Sequence, residues 1–148
     1  HHRAPGAVGA ALTDSRVACE LIPDGIHLHP DVVRLIALCK QGQAIAITDA
    51  MEAADLPDGV YSLGGQCVTV RDRAARLTDG TLAGSVLTLH RALENLIRFG
   101  VEPSQACAMV TLNPARALGE PLLGRILPGS PAPLTRWTKD WRFAGALG

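Results

Sequence analysis

The hydrophobic and polar positions divide the chain into a first third that alternates helix with buried strand and a middle that does not. After Pro5 the stretch 6–14 is Ala-rich with helical spacing, and Val17 to Ile22 is a short apolar strand that stops at Pro23-Asp24-Gly25. The order then repeats. Pro30 opens a helix whose Val32, Leu35, Ile36 and Cys39 share one face, Gly42 closes it, and Ala44 to Ile47 is an unbroken apolar strand. A strand that is apolar at every position is buried on both faces, as parallel strands are.

Past Asp49 the rhythm changes. Turn residues crowd 55–80, with Gln66 to Arg71 and Ala74 to Leu77 as the strands of a hairpin. A helix is expected from Ser85, a sound N-cap, to Phe99, with Val86, Leu89, Leu93, Leu96 and Ile97 on one side. Another starts at Pro103 and turns Ala106, Val110 and Leu112 inward. Asn113-Pro114 breaks it, and 115–118 add a turn before Gly119. The tail from Glu120 is rich in Pro and Gly, and Trp137 and Trp141 fall in no assignable element. Helix alternating with buried strand means α/β, yet two parallel strands do not close a barrel. Either the layer is small, or the chain is part of a larger sheet whose other strands lie before His1.

Composition narrows the partners. Lys+Arg and Asp+Glu balance at 14 each, so no net field favours nucleic acid or an anionic membrane. Aromatics are only 3% of residues, which disfavours a stacking nucleic-acid binder and leaves a core of Ala, Val, Leu and Ile. Cys19, Cys39, Cys67 and Cys107 are scattered, without a CxxC pair, and read as reduced core thiols. With no long apolar span and no secretory signal pattern, a cytoplasmic location is expected.

In parallel α/β folds, functional groups gather at the C-terminal ends of strands, which here means Asp24, His27 and Asp49. Asp49 directly follows the second apolar strand, where partial desolvation would suit a general base; a loop or capping aspartate is the plainer alternative. His27 and His29 form a His-x-His pair. As metal ligands they would have to share a face, whereas in a loop one histidine binding an anion or capping the helix at Pro30 accounts for them as well. The small residues of Leu82-Ala83-Gly84-Ser85 let backbone amides approach a ligand, most closely at Gly84. His90, Arg91 and Arg98 read as solvated helix positions.

Six blocks in order, HHRAPG at 1–6, DGIHLHP at 24–30, TDAM at 48–51, DGVYSLGG at 58–65, DGTLAGS at 79–85 and TLNPARALG at 111–119, resemble the N-acetylglucosamine-6-phosphate deacetylases of the amidohydrolase superfamily. The combination covers the chain to about Gly129 and is far more specific than any single block. It places His1 and His2 in the native sequence. The resemblance implies that the chain is the C-terminal portion of a (β/α)8 TIM-type barrel, with residues 1–119 in the barrel, a β-hairpin excursion at about 58–80, and 120–148 as part of a small β domain or an irregular tail.

The implied activity is hydrolysis of the acetamide of N-acetylglucosamine 6-phosphate to glucosamine 6-phosphate and acetate. Asp49 matches the family's catalytic aspartate, which takes a proton from metal-bound water and passes it to the departing amine. Arg3 and His27 match the arginine and histidine that hold the sugar phosphate across a homodimer interface, and Leu82, Ala83, Gly84 and Ser85 match the loop lining the sugar pocket. A divalent metal, zinc or iron, is implied for the full-length parent. Its glutamate and histidine ligands are expected ahead of HHRAPG, so no residue of this chain is assigned as a ligand and the chain alone is expected to be inactive. Pro131-Ala132-Pro133 departs from the family's usual Ala-Asp turn and leaves the last strand open. Competing with this reading are a metal-free sugar-phosphate binding or assembly module and a hydrolase of another N-acetylated sugar phosphate.

Overall fold

The computed structural model describes residues 2–131 and 133–147. His1 of the HHRAPG block, Ala132 of the Pro-Ala-Pro turn and Gly148 lie outside the described residues.

Helix α1 (Gly6–Thr13) leads to strand β1 (Cys19–Leu21), helix α2 (Pro30–Cys39) and strand β2 (Ala44–Ala46). The strands pair in parallel, Cys19 opposite Ala44 and Leu21 opposite Ala46, with α2 as the crossover. Pro30 sits in the first turn of α2, where its missing N–H is not needed, and the His29 ring accepts from the Asp31 N–H at 3.2 Å as the N-cap. The helix packs on a different face from the one expected. Val33 and Ala37 are buried and Ile36 partly so, while Val32, Leu35 and Leu38 are 40%, 50% and 66% exposed. Small side chains let the helix lie close to the sheet, and the larger apolar ones point outward.

The middle segment is a three-stranded antiparallel meander of β3 (Gly59–Leu63), β4 (Gln66–Arg71) and β5 (Ala74–Leu77). It adds one strand to the expected hairpin. Val68, Val70 and Ala75 pack with Met51, Ala53, Ala83 and Val86 into a small core of their own.

Helix α3 (Leu89–Arg98) starts four residues later than expected, with Thr88 as N-cap in place of Ser85. The reason is that 82–85 are held by two isolated bridges with a left-handed Gly84 between them. Leu82 bridges Arg76 and Ser85 bridges Ala50, so the chain cannot turn into a helix until it has left both partners. Helix α4 (Pro103–Val110) follows, and α5 (Leu112–Ala117) begins after a kink at Thr111. Pro114 therefore does not break a helix but lies in the first turn of one, where proline is tolerated. Leu93 and Leu96 of α3, with Ala106 and Met109 of α4, join Leu21, Val33, Ala37, Ala44 and Ala46 in the main core.

Three buried polar side chains bind carbonyls far away in sequence. Lys40 Nζ donates to Asp14 O at 2.7 Å, Asn95 Nδ2 to Pro23 O at 2.9 Å and Asn113 Nδ2 to Ala44 O at 2.8 Å. Each ties a helix or helix end to the start or end of another element.

The tail is ordered as a hairpin of β6 (Leu134–Trp137) and β7 (Phe143–Leu147). Pro133 stays just outside β6, so the strand forms despite it. Trp137 packs against the main core, the Phe143 ring stacks on His90 at 5.1 Å between centroids, and Arg142 pairs with Glu94 at 3.0 Å. His90 is thus half-buried under the tail, not simply solvated. The cysteines are free thiols, but not core ones: Cys39 and Cys67 are exposed and Cys19 and Cys107 only partly covered, with burial pushing the Cys107 thiol up. Among the described residues no helix is long and apolar enough to cross a membrane.

Candidate functional site

Asp49 stands three residues beyond β2. Its backbone is left-handed, with φ of 47°, a conformation that aspartate tolerates better than most residues. What holds it there is the run 82–85. The Ser85 N–H donates to Asp49 O at 2.9 Å, the Met51 N–H donates to Ser85 O at 2.9 Å, and the Ser85 hydroxyl donates to Thr48 O while accepting from the Leu87 N–H at 3.1 Å. Ser85 is 2% exposed, so these bonds are shielded from water. Gly84 is part of the same clasp. Its φ is 70°, and a Cβ there would lie 3.3 Å from Asp49 O.

The structure therefore brings Asp49 together with Gly84 and Ser85. It also alters the role expected of Ser85, which clasps the aspartate's strand instead of capping α3. The Asp49 side chain corrects another expectation. The residue is exposed, not partly desolvated, because β2 ends at Ala46 and Ile47-Thr48 carry the chain out of the core first.

His27 lies in the loop after β1. Its Nδ1 is 2.6 Å from Asp24 Oδ2, and the Asp24 side chain is only 7% exposed. Asp24 Oδ1 also accepts from the Ile26 and His27 N–H groups at 2.8 and 2.9 Å. This carboxylate thus fixes both the loop and the ring, leaving Nε2 as the nitrogen free to meet a ligand. Sequence reasoning placed Asp24 at the strand end without a role; the three-residue spacing to His27 was the available signal. His29 is instead used as the N-cap of α2, its Nδ1 accepting from the Asp31 N–H. Arg3 is exposed in the turn before α1, and none of the ion pairs of the described residues includes it. Among the described residues no group of three or more His, Cys, Asp or Glu converges to hold a metal ion.

The Amidohydrolase family profile matches residues 4–145. Two Escherichia coli proteins are each 46% identical over 134 residues, 89% of this chain. One, the N-acetylgalactosamine-6-phosphate deacetylase of strain O157:H7, is covered over 36% of its length, and the other, a shorter protein of strain K12, over 80%. The N-acetylglucosamine-6-phosphate deacetylase of Bacillus subtilis is 50% identical over 100 residues, 67% of this chain and 25% of that protein. Among solved structures, an aspartate-to-alanine mutant of the N-acetyl-D-glucosamine-6-phosphate deacetylase of Mycobacterium smegmatis, in complex with N-acetyl-D-glucosamine-6-phosphate, superposes with a TM-score of 0.90 at 33% identity over 99% of this chain and 40% of its own. The chain thus spans a quarter to two fifths of the longer relatives.

Proposed function

Since the chain belongs to the amidohydrolase family, and within it to the N-acetylglucosamine-6-phosphate deacetylases, we propose that it supplies the proton-transfer and phosphate-binding residues of a hydrolase that removes acetate from N-acetylglucosamine 6-phosphate. In this reading residues 1–119 belong to a (β/α)8 barrel and 120–148 to its small β domain. The observation that carries it is the clasp that fixes Asp49 beyond β2.

The chemistry assigned to this chain is that of its own side chains. Water oxygen adds to the acetamide carbonyl carbon as Asp49 takes its proton; the C–N bond then breaks, acetate leaves, and Asp49 returns the proton to the amine. Leu82, Ala83, Gly84 and Ser85 line the sugar, with the Ser85 clasp keeping the Asp49 backbone in place. Arg3 and His27 take the phosphate, the guanidinium by paired donors and the imidazole by the nitrogen that Asp24 leaves free. Both reach the neighbouring subunit's site in a homodimer. The family's divalent metal, zinc or iron, has no ligand set among the described residues.

A second substrate is favoured by one observation. At near-complete coverage the identity is 46% over 89% of this chain to an N-acetylgalactosamine-6-phosphate deacetylase, against 38% over 95% to the N-acetylglucosamine-6-phosphate deacetylase of Vibrio furnissii. The two substrates differ only in the configuration of one hydroxyl, so both belong in the test.

Binding of each hexosamine phosphate is measured calorimetrically on the 148-residue chain, and amine release in the metal-loaded full-length context. The chain is expected to bind one of them without turnover. Arg3→Gln with His27→Gln should weaken binding by about tenfold or more, the loss of charge-assisted phosphate bonds. Asp49→Asn should leave binding in place and lower turnover by orders of magnitude. Undiminished turnover in Asp49→Asn, or unchanged binding in the double variant, overturns the reading.

A further inference from the structure

We propose that the cavity enclosed by the loop after β1, the β4–β5 turn and α3 is a second anion site, taking a phosphate or phosphate monoester through Arg73, Arg91 and Arg98. It goes beyond the deacetylase reading and does not depend on it.

The cavity has a volume of about 320 Å³, and those three arginines line it together with Ile26, Leu87 and Phe99. Arg73 and Arg91 also line the adjoining cavity of about 300 Å³, where Asp55 and Asp58 are on the wall, so the two arginines stand where the two spaces meet and the anion is expected on the Arg98 side. Ion pairs elsewhere do not use these cations. Among the described residues, the arginines paired with carboxylates are Arg16, Arg34, Arg71 and Arg142. Arg98 donates to Asn95 Oδ1 at 2.8 Å and lies over the Phe99 ring at 5.3 Å, which holds its guanidinium without neutralising it.

Two carboxylates share the wall, Asp24 buried in its own loop and Asp72 exposed to solvent. The Asp24 oxygens bind His27 and two backbone N–H groups, and Asp72 faces Arg71 at 3.7 Å. The three guanidiniums outnumber the two carboxylates on the wall by one charge, and a guanidinium is the group best matched to phosphate oxygens.

The turn that carries Arg73 points the same way. Asp72 and Arg73 form a two-residue hairpin connection with φ of 51° and 64°, where Asn-Gly is the usual choice. An arginine in left-handed backbone is held against about 1 kcal/mol of intrinsic preference. The fold keeps a long cation at a position where local sterics would select glycine. The space exceeds one phosphate, and Ile26, Leu87 and Phe99 offer an apolar wall to whatever the phosphate is attached to.

The test titrates the chain at low ionic strength with inorganic phosphate and, separately, with glucose 6-phosphate, which has no acetamide to hydrolyse. Arg73→Gln with Arg91→Gln should weaken phosphate binding by about tenfold or more, while Arg3→Gln with His27→Gln should leave this site filled. Tighter binding of glucose 6-phosphate than of phosphate in that second background would identify an organic monoester; equal binding would identify the free ion. Should the first double variant melt early, Arg91→Gln alone is read, since Arg91 is exposed on α3 and its loss does not disturb the core. Absence of phosphate binding in the unaltered chain, binding unmoved by the arginine substitutions, or binding removed wholly by Arg3→Gln with His27→Gln would each overturn the proposal. The last of these would leave the deacetylase reading standing; hexosamine phosphate binding that Arg3→Gln with His27→Gln leaves unchanged in the Arg73→Gln, Arg91→Gln background would overturn the deacetylase reading alone.

Discussion

At the scale of single residues, the clasp around Asp49 depends on a position with no side chain. Gly84 has φ of 70° and faces Asp49 O at 3.3 Å from where a Cβ would stand. An alanine there meets two penalties at once, left-handed backbone and a contact with a carbonyl that is itself bonded to the Ser85 N–H. Gly84→Ala should therefore destabilise the chain by about 1–2 kcal/mol, read as a lower urea midpoint with an unchanged slope. The same substitution should perturb Asp49 and Met51 amide resonances, because both residues meet the Gly84 contact. A variant with the stability and amide spectrum of the unaltered chain would show that the clasp does not constrain Asp49.

Helices and strands are held in register by buried polar ties, and Asn113 is the one whose removal is easiest to read. Its Nδ2 donates to Ala44 O across 69 positions of chain, fastening α5 to the first residue of β2. Its Oδ1 is buried without a partner. Asn113→Ala leaves the Ala44 carbonyl buried and unpaired but also removes that orphaned oxygen, so the expected loss is about 1–3 kcal/mol, toward the lower end. An unchanged melting curve would mean that the carbonyl is satisfied by other means.

This scale also shows what the sequence made legible. The ends of α2 were readable because proline and glycine act locally, at Pro30 and Gly42. Its buried face was not, because Val32, Leu35 and Cys39 carry as apolar a pattern as the Val33 and Ala37 pair that packs inward. Strand β3 was hidden among turn residues, since Gly59-Val-Tyr-Ser-Leu gains its strand character from pairing with β4. Ser85 has the chemistry of an N-cap, and only its bridge to Ala50 diverts it. Asp49 and His27 were legible as strand-end residues, and the Asp24 contact to His27 followed from spacing that any loop could have undone. Arg91 and Arg98 stand two turns apart on α3, but Arg73 comes from the β4–β5 turn, and nothing in its local sequence announces that it shares their cavity.

At the scale of the molecule, the parallel sheet has two strands among the described residues, so β1 and β2 each have a neighbour on one edge there. Beside them α2 exposes Val32, Leu35 and Leu38, and no residue of α1 is buried although it includes Val8, 71% exposed. An open strand edge next to contiguous apolar helix surface favours association with another chain. The tail hairpin does not cover this surface, since its contacts through Trp137, Phe143 and Arg142 are with the main core and α3. The isolated chain should therefore elute above its monomer mass of 15.5 kDa in size exclusion with light scattering. Leu35→Lys with Leu38→Lys should shift it toward monomer without lowering its melting temperature, because neither side chain contributes to the core. Monomeric behaviour of the unaltered chain at the highest concentration reached would mean that this face is tolerated in water. Association that survives the lysines would move the contact from α2 to the open edge of the sheet.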